Sequence, residues 1–275
     1  MKPLRWLLNL QTNEFVKTEQ TEIYSVLAHL YDTLMQDVDY EMWADFIDEV
    51  IQTHHPDPLD VLELACGTGA ISLHLASFDE YNITATDQSA AMVEKARQKA
   101  AEQEADIQFH TLDFTRIEST QTYDIIFSVF DSVNYLHSKE DILKMLAGCW
   151  DILNPGGLLI FDFSTPQNSL EAVDYLNNEE GSFQNYRYFR ESRYEPGENF
   201  HFNEFEIDKM AKDGKTVLES YHEIHKQRIY PLKEMLSILE QTSYHQVAKY
   251  EGFDLVDADD NSTRVTMVLR CQKQQ

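Results

Sequence analysis

Positive charge is scarce in this 275-residue chain: 22 lysines and arginines stand against 48 aspartates and glutamates, a net charge of −26. A surface that grips a phosphate backbone needs clustered Lys and Arg. The one candidate cluster, Lys95, Arg97 and Lys99, falls in a helical stretch with Glu94, Glu102 and Glu104 around it, which reads as a solvated face. The charge therefore argues against tRNA, rRNA or DNA as a partner and leaves a protein partner open. Cysteine is also scarce. Cys66, Cys149 and Cys271 form no C-x-x-C pair, which points to a reducing, cytoplasmic setting. No apolar run approaches the length of a membrane span. Residues 1–10 begin like a signal peptide, but the run is interrupted and no small-residue cleavage site follows, so they read as an amino-terminal extension. The sequence suggests no role for residues 1–20. Metal-binding patterns are missing as well. His222 and His225 lie three apart in a β-type stretch and so point to opposite faces, and His54-His55 has no partner cluster, so no metal is expected. There is no internal repeat and no low-complexity tract.

The remaining composition is that of a folded globule: 43% hydrophobic and 12% aromatic residues, enough for one large or two small domains. Ile23, Val26, Leu27, Leu30, Tyr31 and Leu34 recur at helical spacing, so an amphipathic helix is expected over 21–36. Asp39 can cap a second helix with Trp43, Phe46, Ile47, Val50 and Ile51 on its apolar face, ended by Pro56 and Pro58. Residues 61–65, 82–86, 107–111, 123–129 and 157–163 read as buried strands. Helices are expected near 70–78, 89–104 and 139–153, with Ser89 and Ser138 as caps and Asn154-Pro155-Gly156 as a stop. Such alternation implies a parallel α/β sheet with its ligand at the carboxyl edge of the strands. Residues 183–230 change character, with turns at Glu195-Pro196-Gly197-Glu198 and Lys212-Asp213-Gly214-Lys215, and read as a three-stranded antiparallel insertion. Pro231 opens a last helix, and 245–250 and 264–270 fit a closing strand pair.

One stretch carries the chemistry. The apolar run Val61-Leu62-Glu63-Leu64-Ala65 enters the turn Cys66-Gly67-Thr68-Gly69, a helix follows, and a second run ends in Asp87, about twenty residues past Gly67. Glycine lets the turn bend and a ligand touch the backbone. A carboxylate at the end of the second strand accepts from both hydroxyls of a ribose. A dinucleotide fold wants a third glycine, where Ser72 stands, and a bare helix start for the pyrophosphate. Glu63, four residues before Gly67, would repel a pyrophosphate but tolerates a ligand bearing an ammonium and a sulfonium.

The E-x-x-x-G-x-G arrangement of Glu63, Gly67 and Gly69 resembles motif I of the class I S-adenosylmethionine-dependent methyltransferases, and Ala65-Cys66-Gly67-Thr68-Gly69 is similar to the variant of the glycine N-methyltransferase-like branch. Further motifs follow in family order: Gln88-Ser89-Ala90-Ala91-Met92 after the ribose acid, Leu112-Asp113-Phe114, Tyr123 to Leu136, and Leu153 to Asp162 with its N-P-G-G turn. Tyr24, Ala28, Tyr31-Asp32, Tyr40 and Trp43 are spaced as in the cap of a bacterial subfamily. The resemblance implies a Rossmann-like, mostly parallel seven-stranded sheet with helices on both faces, an amino-terminal helical cap and an antiparallel β insertion. The implied organisation is 1–58 for extension and cap, 59–163 with 231–275 for the cofactor domain, and 164–230 for the insertion, as a substrate lid or dimer face.

It also implies S-adenosylmethionine as cofactor. Glu63, Ala65, Cys66, Gly67 and Gly69 would form the loop. Asp87 would take the ribose, with a plain helix cap as the alternative, and Gln88 and Met92 would follow it. Asp113 and Phe114 would meet the adenine unless they merely end a strand. Tyr31 and Trp43 would cover the methionine end, or simply pack in the core. Phe130 and Asp131 would line the methyl end, and Tyr24, Asn134 and Tyr135 would face the acceptor, against a loop with a packed tyrosine. Tyr186, Tyr188, Arg187, Arg190 and Arg193 could bind an anionic acceptor; a half-exposed sheet or a homodimer face is the plainer alternative. Methyl transfer asks mainly for alignment, so a missing catalytic triad is no objection, and no catalytic residue is assigned. The expected function is methyl transfer to a small molecule, without nucleic acid or membrane. A non-catalytic cofactor-binding module and a protein methyltransferase stay open, while an NAD-dependent oxidoreductase is opposed by Ser72 and Glu63.

Overall fold

In the computed structural model, which describes residues 17–55 and 57–273, a short strand β1 (Thr18–Gln20) leads through a 3-10 turn at Leu27–His29 into the one-turn helix α1 (Tyr31–Leu34) and the long helix α2 (Tyr40–His54). Strands and helices then alternate: β2 (Asp60–Leu64), α3 (Ala70–Ala76), β3 (Asn82–Asp87), α4 (Ala90–Glu102), β4 (Ile107–Thr111), β5 (Tyr123–Ser128), α5 (Lys139–Ile152) and β6 (Leu153–Ser164). Helix α6 (Pro166–Leu176) precedes four strands, β7 (Glu179–Phe183), β8 (Tyr186–Glu195), β9 (Phe200–Met210) and β10 (Val217–Arg228). The chain closes with α7 (Leu232–Leu239), β11 (His245–Glu251) and β12 (Arg264–Arg270). The amino-terminal extension (1–16) and Pro56, expected to help break a helix, lie outside the described residues.

The strands form two sheets among the described residues. The larger has seven strands in the order β11-β12-β6-β5-β2-β3-β4. Pairs β6-β5, β5-β2, β2-β3 and β3-β4 are parallel, and β12 joins β6 and β11 antiparallel. Alternate residues of each strand point to opposite faces. Leu62, Ile126 and Phe161 therefore pack under α5 and α7 with Ile142, Met145, Cys149 and Met235, while Val61, Ile125 and Ile160 meet Ile47, Ile51, Ile71 and Leu75 of α2 and α3. Helix starts are set by short polar side chains: Asp39 accepts from the Met42 amide at 2.9 Å, Ser89 from Met92 at 3.3 Å and Ser138 from Asp141 at 3.2 Å.

Two expectations need correction. Residues 183–230 do not form a three-stranded insertion by themselves. The second sheet has five strands, β1-β10-β9-β8-β7, because β7 begins already at Glu179 and Thr18–Gln20 adds a parallel edge beside Ser220–His222. Nor do residues 21–36 form one amphipathic helix. Tyr24 adopts a left-handed backbone (φ 57°) that no helix tolerates, and the Glu223 carboxylate on β10 takes the amides of Tyr24 (2.8 Å), Val26 (2.8 Å) and Leu27 (3.0 Å). A buried charge almost two hundred residues away thus outcompetes local helix propensity. The apolar residues are nonetheless used: Leu27 and Leu30 pack on Tyr188, Phe205 and Ile207 of the second sheet.

Candidate active site

The site is built where the carboxyl ends of β2, β3 and β5 meet the second sheet. After Leu64, the chain turns through three left-handed residues, Ala65 (φ 56°), Gly67 (φ 56°) and Gly69 (φ 76°). At Gly69 a side chain has no room: a Cβ would sit 3.0 Å from the Ala96 Cβ and 3.1 Å from the Phe109 ring. At Gly67 a Cβ would meet only the Tyr31 ring at 3.9 Å, so there the glycine leaves backbone bare toward a cavity. Asp87 ties the loop down. One carboxylate oxygen accepts from the Gly67 amide at 2.9 Å and the other from the Ser89 amide at 2.8 Å. Each oxygen keeps a lone pair for a ligand hydroxyl. Burial pushes the Asp87 carboxyl up, against the pull of those two amides.

Glu63 is 2% exposed and accepts from the Ser72 hydroxyl. Ser72 is therefore more than a missing glycine, because it partners the acid that precedes the loop. Burial pushes Glu63 up to about 7, the Ser72 bond opposes this, and Asp87 adds to it. The loop thus meets a ligand with two acids on its inner side. Cys66 lies between them, and burial and both acids push its thiol well up, so it is an inert packing residue.

A cavity of about 630 Å³ opens over this loop. Tyr24, Tyr31, Glu63, Ala65, Cys66 and Gly67 line it, as do Asp87, Gln88, Met92, Phe114, Phe130 and Tyr135. Tyr40 lines it too. Five of the residues expected at the site do not line this cavity: Asp131, and four that stand back from it. Gly69 sits behind the loop as the start of α3. Trp43 is buried edge-on against Phe253, with the Arg264 guanidinium 5.0 Å from its ring. Asp113 closes a turn by accepting from the Thr115 amide and hydroxyl at 2.9 and 2.7 Å. Asn134 is fully buried and saturated: it accepts from Ser164 N at 2.9 Å and donates to Arg228 O at 2.8 Å and Ser164 O at 3.2 Å. It joins β6 to β10 and lines neither cavity.

A second cavity, of about 590 Å³, lies between the two sheets. Tyr24, Tyr31, Phe130 and Tyr135 line both cavities and form the partition between them. The partition is held under strain. Phe130 (φ 66°) and Asp131 (φ 62°) are consecutive non-glycine residues in the left-handed region. They are pinned by the Asp131 amide donating to Asp162 at 2.9 Å and by Arg264, which bridges Asp131 and Asp162. Asp131 faces the second cavity, not the first. Burial pushes Asp162 up to about 6 against the Arg264 charge. The residues that sequence reasoning missed are in this second wall: Arg264 from β12, His201 and Asn203 from β9, and His225 from β10. No local pattern marks them, because each arrives from a strand far along the chain. The arginines of the insertion are all engaged with acids, Arg187 with Asp208, Arg190 with Glu179, and Arg193 with Glu195 and Glu204. Ion pairing of these arginines favours the plainer reading of a half-exposed sheet over an anionic-acceptor site.

Fold and site together define an α/β domain with a cavity over a glycine loop flanked by two acids, Glu63 and Asp87, at the carboxyl ends of its strands. The comparisons agree. Residues 61–157 match the family described as "Methyltransferase domain". The YqeM protein of Bacillus subtilis (strain 168), provisionally named a methyltransferase, is 26% identical over 91% of this chain and 97% of its own. The crystal structure of an S-adenosylmethionine-dependent methyltransferase from Clostridium acetobutylicum ATCC 824 superposes with a TM-score of 0.72 at 24% identity, covering 90% of this chain and 98% of that one. A dTDP-3-amino-3,4,6-trideoxy-alpha-D-glucopyranose N,N-dimethyltransferase of Streptomyces venezuelae is 29% identical over 49% of this chain and 56% of its own. Residues 61–157 thus match a methyltransferase domain, and the chain as a whole shares its fold with S-adenosylmethionine-dependent methyltransferases. Among the described residues no helix is long and apolar enough to cross a membrane, and no three His, Cys, Asp or Glu side chains gather as metal ligands.

Proposed function

We propose that this methyltransferase acts on a small molecule, with S-adenosylmethionine in the first cavity and the acceptor in the second. The observation that carries this reading is the pair of cavities, about 630 and 590 Å³, separated by four aromatic side chains. Both volumes fall in the range of small-molecule sites, roughly 300–1,000 Å³. A protein acceptor would need only a slot for one side chain. The relative from Streptomyces venezuelae, by its name, methylates a nucleotide-linked amino sugar, which fits the same class of acceptor.

The chain's residues fit an adenosyl ligand. Asp87 has one spare lone pair on each oxygen for a ribose diol, Gly67 offers bare backbone, and Phe114 and Met92 offer apolar cover for a base. Asp113 would act only by shaping the turn that presents Phe114. Glu63 and Asp87 set an anionic field suited to a cationic ligand. When bound, S-adenosylmethionine supplies a methyl group on a sulfonium, an excellent leaving group. The protein's part is then alignment and exclusion of water. Tyr24, Tyr31, Phe130 and Tyr135 would frame the passage between the ligands, and Trp43 with Arg264 would hold Phe130 in place. In this reading the five-stranded sheet and the segment before α2 are the lid over both ligands.

Two experiments test the proposal. Calorimetric titration should show micromolar binding of S-adenosylmethionine and S-adenosylhomocysteine and none of NAD; binding of NAD alone would sink it. Incubation of the protein with methyl-labelled S-adenosylmethionine and a cell extract, split by size, should place label in the low-mass fraction. Label confined to protein would refute a small-molecule acceptor.

A further inference from the structure

The wall shared by the two cavities contains a chain of hydrogen-bonded groups that methyl transfer from a sulfonium does not by itself require. The Tyr24 hydroxyl lies 2.7 Å from the Tyr135 hydroxyl, which lies 3.2 Å from His225 Nδ1, and His225 Nε2 lies 3.3 Å from Glu223 Oε2. His225 and Glu223 are 2% and 0% exposed, whereas both tyrosines reach the cavities. With Glu223 accepting from Nε2–H, Nδ1 is left with its lone pair toward the tyrosines. Burial alone would raise the Glu223 carboxyl, but the hydrogen bond from His225 and the amides of Leu27 and Val26 hold it below its ordinary value, so it stays ionised.

Acids outnumber guanidiniums in the same chamber. Its two guanidiniums are ion-paired, Arg190 with Glu179 and Arg264 with Asp131 and Asp162, while Arg190 Nε is buried without an acceptor among the described residues. Behind the lining, the Glu223 carboxylate pairs with His225 and accepts from the amides of Tyr24, Val26 and Leu27. An anionic acceptor would meet guanidiniums already paired with carboxylates, while a cation would find Asp37, Asp131 and Glu179 against Arg190 and Arg264, together with the rings of Tyr24, Tyr31, Phe130 and Tyr135. The Asn203 Oδ1 in this lining is buried without a hydrogen-bond partner among the described residues, an acceptor waiting for a donor.

We propose that the second cavity takes an amine, bound as its ammonium, and that Tyr24, Tyr135 and His225 with Glu223 carry off the proton it must lose before methylation. This rests on the reading of the first cavity as the S-adenosylmethionine site. The ammonium N–H proton passes to the Tyr24 oxygen, the Tyr24 proton to Tyr135, and the Tyr135 proton to His225 Nδ1, leaving an imidazolium against the Glu223 carboxylate. The freed nitrogen lone pair forms the N–C bond to the methyl, the C–S electron pair leaves with sulfur, and the methylated product departs as an ammonium. His225 returns its proton to solvent when the chamber opens. The groups facing His225 are Glu223 on its own strand, Tyr24 from the turn before α1, Tyr135 from the loop after β5, and Phe205 from β9; Arg190 of β8, paired with Glu179 of β7, lines the same chamber.

The test uses the full chain and three matched probe sets: 2-phenylethylamine and tyramine, the corresponding arylalkyl carboxylates, and the corresponding alcohols. Binding to the S-adenosylhomocysteine complex is measured by calorimetry, and turnover by release of S-adenosylhomocysteine from S-adenosylmethionine. Amines should bind and turn over in preference to the other two sets. His225→Gln should lower kcat on the best amine by roughly 10²–10⁴-fold, the usual worth of general-base assistance. It should leave KM and S-adenosylhomocysteine affinity within threefold and abolish the rise of kcat with pH. Tyr135→Phe, which keeps the ring, should act in the same direction and serves if His225→Gln does not fold. Glu223 is not a clean test, because it also holds the turn at Tyr24. Preference for carboxylates or alcohols, failure of every amine to bind a protein that binds S-adenosylhomocysteine, or kcat within threefold of wild type in both variants overturns the inference. Failure of S-adenosylmethionine itself to bind defeats the underlying reading instead.

Discussion

Replacing Asp87 by alanine separates cofactor recognition from folding. In the folded chain the carboxylate joins two loops through the Gly67 and Ser89 amides, and burial pushes its pKa up despite those bonds. An acid that is harder to ionise in the fold than in the unfolded chain is not a net source of stability at neutral pH. Asp87→Ala should therefore remain folded. Its cost falls on the ligand. If each oxygen accepts one ribose hydroxyl, two hydrogen bonds to a charged group are lost, at about 1.5–3 kcal/mol each. The sum of about 3–6 kcal/mol corresponds to roughly 10²–10⁴-fold weaker binding. Asp87→Asn keeps one acceptor oxygen and should fall between. Titration calorimetry with S-adenosylhomocysteine measures the affinities, and circular dichroism melting establishes that each variant is folded. A folded alanine variant that binds within threefold of wild type would refute the role given to Asp87, and with it the placement of the ribose.

Three further outcomes follow from the same geometry. Gly69→Ala must place a Cβ against Ala96 and Phe109 at a left-handed backbone, and should cost about 2–4 kcal/mol in urea unfolding; a loss under about 1 kcal/mol contradicts the steric argument. Glu63 titrates at about 7 in the fold against 4.5 as a free group, so the folded chain holds its proton more tightly, and stability from this group falls as pH rises from 4.5 to 7. Glu63→Gln should thus match wild type near pH 4.5 and melt higher above pH 7, with a gain on the order of 3 kcal/mol; an equal difference at both pH values would sink the assignment. Arg264→Met strands the buried Asp162 beside Asp131 and should destabilise by about 3–5 kcal/mol at pH 8. The loss should shrink at pH 5, where Asp162, already pushed up to about 6, takes a proton; a loss that does not change with pH would argue that packing on Trp43 dominates.

Sequence reasoning was strongest where a structural decision is made by neighbours along the chain. The apolar stripe of α2, the caps at Asp39, Ser89 and Ser138, the buried strands β2, β3, β5 and β6, and the bend at Gly67 and Gly69 all follow from residues a few positions apart, because helix and strand periods and backbone sterics act over that range; β4, expected to be buried, is instead a sheet edge with Phe109 alone buried. The placement of Asp87 at the end of the second strand was legible for the same reason. Position 72 was only half legible: the missing glycine was visible in the sequence, but not that its serine partners Glu63.

Tertiary structure decided what depends on charges and rings that meet across the chain. Residues 22–27 turn instead of forming a helix because Glu223 claims their amides, and no local pattern announces a carboxylate that far downstream. Asn134 carries a motif residue's position yet spends every hydrogen bond on Ser164 and Arg228. Thr18–Gln20 becomes a strand only because the β10 edge is open beside it. The second cavity and its tyrosine–histidine–glutamate chain exist only once the five-stranded sheet packs over the seven-stranded one. The amino-acid sequence by itself determined the α/β scaffold and the glycine loop, since propensity, period and turn chemistry are local. Burial and pairing of groups far apart in sequence, which only the folded chain brings within reach, decided where a second ligand can sit and which proton acceptor faces it.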